Sequence, residues 1–213
     1  MSTEILDQPG PIAPSPAVPA GYITFEQYLT IGEDTQILEW VDGEVIKMAP
    51  AAQRHQEILL FLLHTVGLYV ELHDLGRIVS APFAMKLAAQ KRGREPDILF
   101  VKRERLDLLK DTFLDGPADL AIEIISPESV GPDRGEKFIE YEEAGIPEYW
   151  LVDFTRRQAE FNELGEDGLY HLADTRDGIY RSKALGGFYL RIDWLWQMPA
   201  PTIEALRELK LLG

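Results

Sequence analysis

At 213 residues, with 46% hydrophobic and 27% charged side chains, the chain is long enough for one domain with a sizeable core, and its composition is that of neither a disordered nor a membrane protein. A formal charge of −15 argues against a uniformly basic surface that would coat nucleic acid, and the absence of cysteine excludes disulfides and thiolate metal sites. The longest apolar run, Ile58 to Leu63, is too short to span a bilayer. No basic stretch precedes an apolar one at the N-terminus, so the expectation is a cytoplasmic protein with no membrane association. Any bound metal must be held by oxygen or imidazole, which favours Mg²⁺ or Mn²⁺ over structural zinc.

Residues Met1 to Ala20 carry five of the fourteen prolines and no apolar period, as expected of an extended, disordered tail ahead of a single domain over 21–213. Thr24-Phe25-Glu26-Gln27 matches a capping box opening a short helix. Ile37 to Val41 and Glu44 to Met48, joined by Asp42-Gly43, read as a two-residue hairpin ended by Pro50. From Gln53 to about Asp74, apolar residues at Ile58, Leu59, Leu62, Leu63, Val66, Tyr69 and Val70 recur at helical spacing. Ile78 to Leu87 reads as a strand broken or edge-placed at Pro82. Between Lys86 and Arg105 lie seven basic residues against three acidic ones, a basic loop in an acidic chain. It makes Lys91, Arg92 and Arg94 candidates for DNA contact, beside the plainer reading of a solvated loop of mixed charge.

The chemistry concentrates between Glu95 and Asp153. Pro96-Asp97 opens the apolar strand Ile98 to Val101. Leu120 to Ile125 is a strand apolar on both faces that carries one carboxylate, Glu123. An unpaired buried carboxylate is costly, so a cation should stand beside it. Arg134 to Tyr141 is a helix presenting Lys137, stopped by Gly145 and Pro147, and Glu148 to Asp153 is a further strand. Two strand-borne acids and an ammonium form a minimum set for phosphodiester hydrolysis with a hard divalent ion. The competing explanation is structural ion pairs to Arg94 or Arg134. Ser126 and Ser129 lack the turn and histidine partner of a nucleophile, and glycoside hydrolysis by Asp97 and Glu123 lacks aromatic platforms. Further on come a hairpin, Ala159 to Leu164 with Leu169 to Ala173, then an extended stretch with Trp194 and Trp196 on one side, and a helix from Thr202 to Leu212. The two tryptophans could stack bases, but core packing is the commoner use of such residues.

Glu95-Pro96-Asp97, Gly116-Pro117-Ala118-Asp119-Leu120, Glu123-Ile124-Ile125-Ser126-Pro127-Glu128-Ser129, Asp133-Arg134-Gly135-Glu136-Lys137, Tyr141 and Ala144 to Asp153, together with Asp42-Gly43-Glu44 and His55-Gln56, give the chain a family likeness from about Tyr22 to Leu164. It resembles the Uma-type restriction endonuclease family, a branch of the PD-(D/E)XK nuclease superfamily. The resemblance implies an α/β (α+β) restriction-endonuclease-like core, a mixed sheet flanked by helices in the order α-β-β-β-α-β, with Mg²⁺-dependent cleavage of DNA by a homodimer. It further implies that Asp97 and Glu123 ligate the metal, with the carbonyl of Ile124 as a third ligand, and that Glu44 is an early catalytic acid. Ile125 occupies the superfamily's usual lysine position, so Lys137 on the following helix takes that part. His55 and Tyr141 would line the site. The runner-up reading is a nuclease-fold module that cleaves nothing and works through a protein partner, which the overall charge favours.

Overall fold

The computed structural model describes residues 21–31, 37–48, 51–127 and 129–212. The expected tail and the stop at Pro50 lie outside the described residues. In chain order come α1 (Phe25–Tyr28), β1 (Leu38–Val41), β2 (Glu44–Lys47), α2 (Gln53–Leu72), β3 (Gly76–Ser80), β4 (Ala84–Leu87), β5 (Arg92–Arg94) and β6 (Ile98–Lys102). These are followed by β7 (Phe113–Leu114), β8 (Leu120–Ile125), α3 (Val130–Arg134), α4 (Glu136–Glu143), β9 (Glu148–Asp153) and β10 (Gln158–Leu164). The chain finishes with β11 (Tyr170–Leu172), β12 (Ile179–Arg181), β13 (Tyr189–Arg191) and α5 (Thr202–Glu208).

Local signals explain most of these boundaries. The Thr24 side chain and Gln27 close the capping box around α1. Asp42 and Gly43 both take positive φ, 48° and 89°, which a two-residue hairpin turn requires. Gly43 has no room for a side chain, because a Cβ there would fall 2.2 Å from the Tyr22 ring.

Two sheets organise the molecule. A six-stranded sheet runs β11-β10-β9-β8-β6-β3, and a five-stranded one runs β2-β1-β5-β4-β7. In the larger sheet β8 and β9 are parallel and the remaining pairs antiparallel. The elements α2, β3, β6, β8, α4 and β9 supply the expected α-β-β-β-α-β order on a mixed sheet flanked by helices. The break at Pro82 does more than interrupt a strand: β3 and β4 join different sheets.

The larger sheet is covered on both faces, which is why β8 and β9 are buried at every position. Leu120, Ile122 and Ile124 alternate into the core built with α2, α5 and Trp150. Ala121 and Ile125 point the other way, into the core containing Tyr141, Tyr149 and Met85. Glu123 lies between those two in the alternation, so it faces α4 rather than α2.

Three local readings are corrected. The basic loop is partly a strand, β5, with Trp40 opposite Gly93 and Met85 opposite Arg94. The extended stretch expected over Tyr189 to Trp196 stops at Arg191, and Ile192–Trp196 is a 3₁₀ turn. Trp194 is fully buried against Phe61 and Trp196 is only partly exposed, so they pack the core and form no stacking platform. The last helix ends at Glu208, not Leu212.

Candidate active site

The antiparallel register of β6 on β8 pairs Ile98 with Ile122. One step further out, it sets Asp97 across from Glu123, and both line a cleft of about 310 Å³ together with Glu39, His55, Asp133 and Lys137. Ile46 and Met48 of the hairpin form an apolar wall. Two acids far apart along the chain therefore meet as one pair.

Asp97 is held from two sides. The backbone N–H of Ile124 donates to its Oδ2 at 2.7 Å, and His55 Nε2 lies 3.1 Å from Oδ1 and 3.2 Å from Oδ2. His55 comes from the first turn of α2 and is buried, and among the described residues its Nδ1 has no hydrogen-bond partner. With Nε2–H donating to Asp97, that nitrogen carries the free lone pair.

Glu123 Oε1 accepts from Lys137 Nζ at 2.9 Å and from the Tyr141 hydroxyl at 3.2 Å. Among the described residues no donor meets Oε2. Burial pushes the Glu123 carboxyl well above the usual range. Lys137 opposes that rise, while the neighbouring Asp133, Asp97 and Glu39 add to it. Burial likewise works against the Lys137 charge, but Glu123, Glu39 and Asp133 outweigh it and raise the ammonium well above its ordinary value. Lys137 is thus held in its protonated form.

Two acids that sequence reasoning missed complete the cluster. Lys137 Nζ lies 2.9 Å from Glu39 Oε1 and 3.2 Å from Asp133 Oδ1, although among the described residues neither oxygen receives a hydrogen bond of good geometry. Burial tends to raise the Glu39 carboxyl, but Lys137 and Arg94 together bring it below its ordinary value. Glu39 stands between Leu38 and Trp40, so alternation alone reads it as the solvent-facing residue of a hairpin strand. The α4 helix covers that face. Asp133 sits in the same family string, four residues before Lys137, and that spacing was its available signal.

Other candidates are not brought to the cleft. Glu44 is exposed on β2 opposite Val41 and does not line it, because it stands at the turn end of the hairpin, beyond Ile46 on the same face; the hairpin acid that lines the cleft is Glu39. Arg94 is 1% exposed, with Glu39 and Glu140 as partners, so it is not a surface available to DNA. Arg92 is tied to Asp42 at 2.8 Å and Glu140 at 2.5 Å, and Lys91 is exposed on the β4–β5 turn with a positive φ. Arg134 pairs with Asp153 and Glu160, so neither competing arginine pairs with Asp97 or Glu123.

The donor set suits a hard divalent ion in kind: carboxylates, one imidazole, no thiolate, and an unpaired Glu123 oxygen beside an excess of negative charge. Among the described residues, however, no three ligating side chains already stand at coordinating positions. Asp97, Glu123 and the Ile124 carbonyl would have to close on the ion.

A mixed sheet whose adjacent strands carry an acid pair, backed by a lysine from the next helix, defines a nuclease-type fold. A family model described as "Putative restriction endonuclease" matches residues 25–193, and the chain belongs to that family. It is also similar to the crystal structure of a nuclease, itself described as putative, from Anabaena variabilis ATCC 29413, with a TM-score of 0.69 and 17% identity over 82% of this chain and 97% of that one. At that identity the likeness establishes the shared fold. No curated protein matches the chain.

Proposed function

We propose that the protein is a Mg²⁺- or Mn²⁺-dependent endonuclease that hydrolyses phosphodiester bonds in DNA. The observation that carries this reading is the convergence of Asp97 and Glu123 at one cleft, with a buried ammonium on Glu123 Oε1 and its Oε2 free. Asp97, Glu123 and the Ile124 carbonyl would hold the metal, which supplies Lewis-acid stabilisation of charge on the phosphoryl oxygens and a more acidic water. The Ile124 amide and His55 fix the Asp97 carboxylate so that its orientation is not lost to rotamer motion. Lys137, kept protonated by its acidic neighbours, donates to a phosphoryl oxygen of the pentacovalent centre and opposes the developing negative charge. Tyr141 is buried with its hydroxyl held on the protonated side, so it donates to Glu123 and acts as an orienting group.

A second reading is a silent nuclease-fold module that acts through a protein partner. The acidic cleft favours it: among its lining residues Glu39, Glu95, Asp97, Glu123 and Asp133 face only Lys47, Lys137 and His55 as basic groups. One experiment separates them. Purified protein with Mg²⁺ or Mn²⁺ should take up metal by calorimetry and nick plasmid DNA, and Asp97→Ala should lose both. Intact DNA of every form and no metal uptake would end the endonuclease reading. A homodimer in a reducing cytoplasm completes the proposal, and a monomer in sedimentation would remove that part.

A further inference from the structure

Arg94 comes three residues before Asp97, yet it faces away from solvent and toward two other elements. Its Nη1 donates to Glu39 Oε2 on β1 at 2.7 Å. Its Nε and Nη2 donate to Oε2 and Oε1 of Glu140 on α4 at 2.7 and 2.9 Å, and Nη2 also reaches Glu136 at 3.3 Å. A guanidinium can bridge two carboxylates on separate elements because its donors are spread in a rigid plane, which an ammonium cannot imitate.

Glu140 follows Lys137 by three residues, so the bidentate contact anchors α4 within one turn of the ammonium. Glu39 divides its oxygens between the two cations: Oε2 takes Arg94 and Oε1 faces Lys137. The chain Glu140, Arg94, Glu39, Lys137, Glu123 is continuous, buried, and crosses β5, β1, α4 and β8.

We infer that Arg94 and Glu39 are positioning residues of the active site: Arg94 locks β1 to the helix that bears Lys137, and Glu39 draws the ammonium to the place where it occupies only one oxygen of Glu123. The second Glu123 oxygen is thereby left to the cleft. The role assigned to them rests on the endonuclease reading of Asp97 and Glu123. The geometric hold on Lys137 can be tested without it.

Lysine ammonium ¹H–¹⁵N spectra of the full-length protein read that hold directly. Wild type should show one exchange-protected ammonium signal that Lys137→Gln removes, and Glu39→Gln should broaden it beyond detection while the amide spectrum stays folded. Calorimetry with Mn²⁺ should give Glu39→Gln an affinity within about twofold of wild type. Its plasmid nicking should fall roughly 10- to 100-fold, the range for groups that orient a metal-site residue. Adding Glu39→Gln to Lys137→Gln should cost nothing more, because the first residue acts only through the second. If Glu39→Gln does not fold, Arg94→Lys carries the same readouts, since a lysine cannot span Glu39 and Glu140 together.

A protected ammonium signal that survives Glu39→Gln would overturn the inference. So would a loss of Mn²⁺ affinity as large as that of Glu123→Ala, which would make Glu39 a direct ligand, or losses of nicking that multiply with Lys137→Gln. If wild type neither binds Mn²⁺ nor nicks DNA, the endonuclease reading falls, and the ammonium signal still decides whether Glu39 and Arg94 hold Lys137.

Discussion

Glu123 and Glu148 lie on neighbouring parallel strands, each is almost wholly buried, and their surroundings treat them in opposite ways. Glu148 Oε1 accepts the backbone N–H groups of Lys183 and Ala184 at 2.5 and 2.7 Å. Its Oε2 accepts the Ser182 hydroxyl at 2.8 Å and the Trp150 indole at 3.1 Å. Every lone-pair direction is used by a neutral donor, and the carboxylate pins the turn after β12 to the start of β9. Glu123 has both its donors on one oxygen, two further acids, Glu39 and Asp133, around its ammonium, and an open side toward the cleft. A buried acid that serves the fold is saturated; one left half-satisfied amid like charges is where a bound cation would gain most, as under the proposed function.

Swapping each acid for its amide tests this contrast most severely. Glu123→Gln should abolish calorimetric Mn²⁺ uptake and cut nicking by about 100-fold or more, with no loss of metal-free stability. An amide oxygen can still accept from Lys137 and Tyr141, and the swap removes one of the like charges crowded there, so a neutral group is tolerated. Equal Mn²⁺ affinity in this variant and wild type would break the distinction.

Lys137→Met should be the most damaging change to the fold. It leaves Glu39, Glu123 and Asp133 facing one another without their ammonium, a cost of about 3–5 kcal/mol. For a chain of this size that lowers Tm by roughly 6–20 °C, and added Mn²⁺ should restore part of the loss. A Tm within one degree of wild type would show that the cluster does not depend on this cation.

For Glu148→Gln the expected pattern is the reverse of Glu123→Gln. Converting an acceptor-only carboxylate to an amide turns two of its four hydrogen bonds into donor–donor conflicts, at a cost of roughly 1.5–3 kcal/mol by urea denaturation. Metal uptake should be unchanged, and a variant that loses both stability and Mn²⁺ binding would make Glu148 part of the site.

The smallest effect concerns Glu95, whose half-buried carboxyl is raised to about 7 by desolvation, against the hydrogen bond that Tyr28 donates to it at 2.7 Å. The folded protein keeps this proton where the unfolded chain, titrating near 4.5, has released it. Stability from this group is therefore fully present below about pH 4.5 and falls as pH rises through 7. Replacing Glu95 with Gln should flatten that part of the profile, a gain of roughly 1–3 kcal/mol at pH 8 measured by denaturation. An unaltered slope would mean that Glu95 is charged in the fold.

The strength and limit of sequence reasoning show at particular residues. Apolar runs found β6, β8, β9 and α2, because alternation and helical period are properties of the local backbone. The demand of a buried carboxylate for a cation singled out Glu123 and pointed to Lys137. The same demand was invisible at Glu39, since its strand alternates like any half-exposed hairpin until another element covers the second face. Arg94 looked like a surface cation because a run of basic residues gives no sign of which members fold inward.

The amino-acid order by itself therefore marked β6, β8, β9 and α2, the family, and Asp97, Glu123 and Lys137, which the fold brings to one cleft. Only the packed molecule decided that Glu39 and Asp133, and not Glu44, surround Lys137, and that Arg94 is an internal clamp. Element type follows from neighbours along the chain. Charge pairing depends on distances across it, which are set once β1, β5, β8 and α4 have closed together.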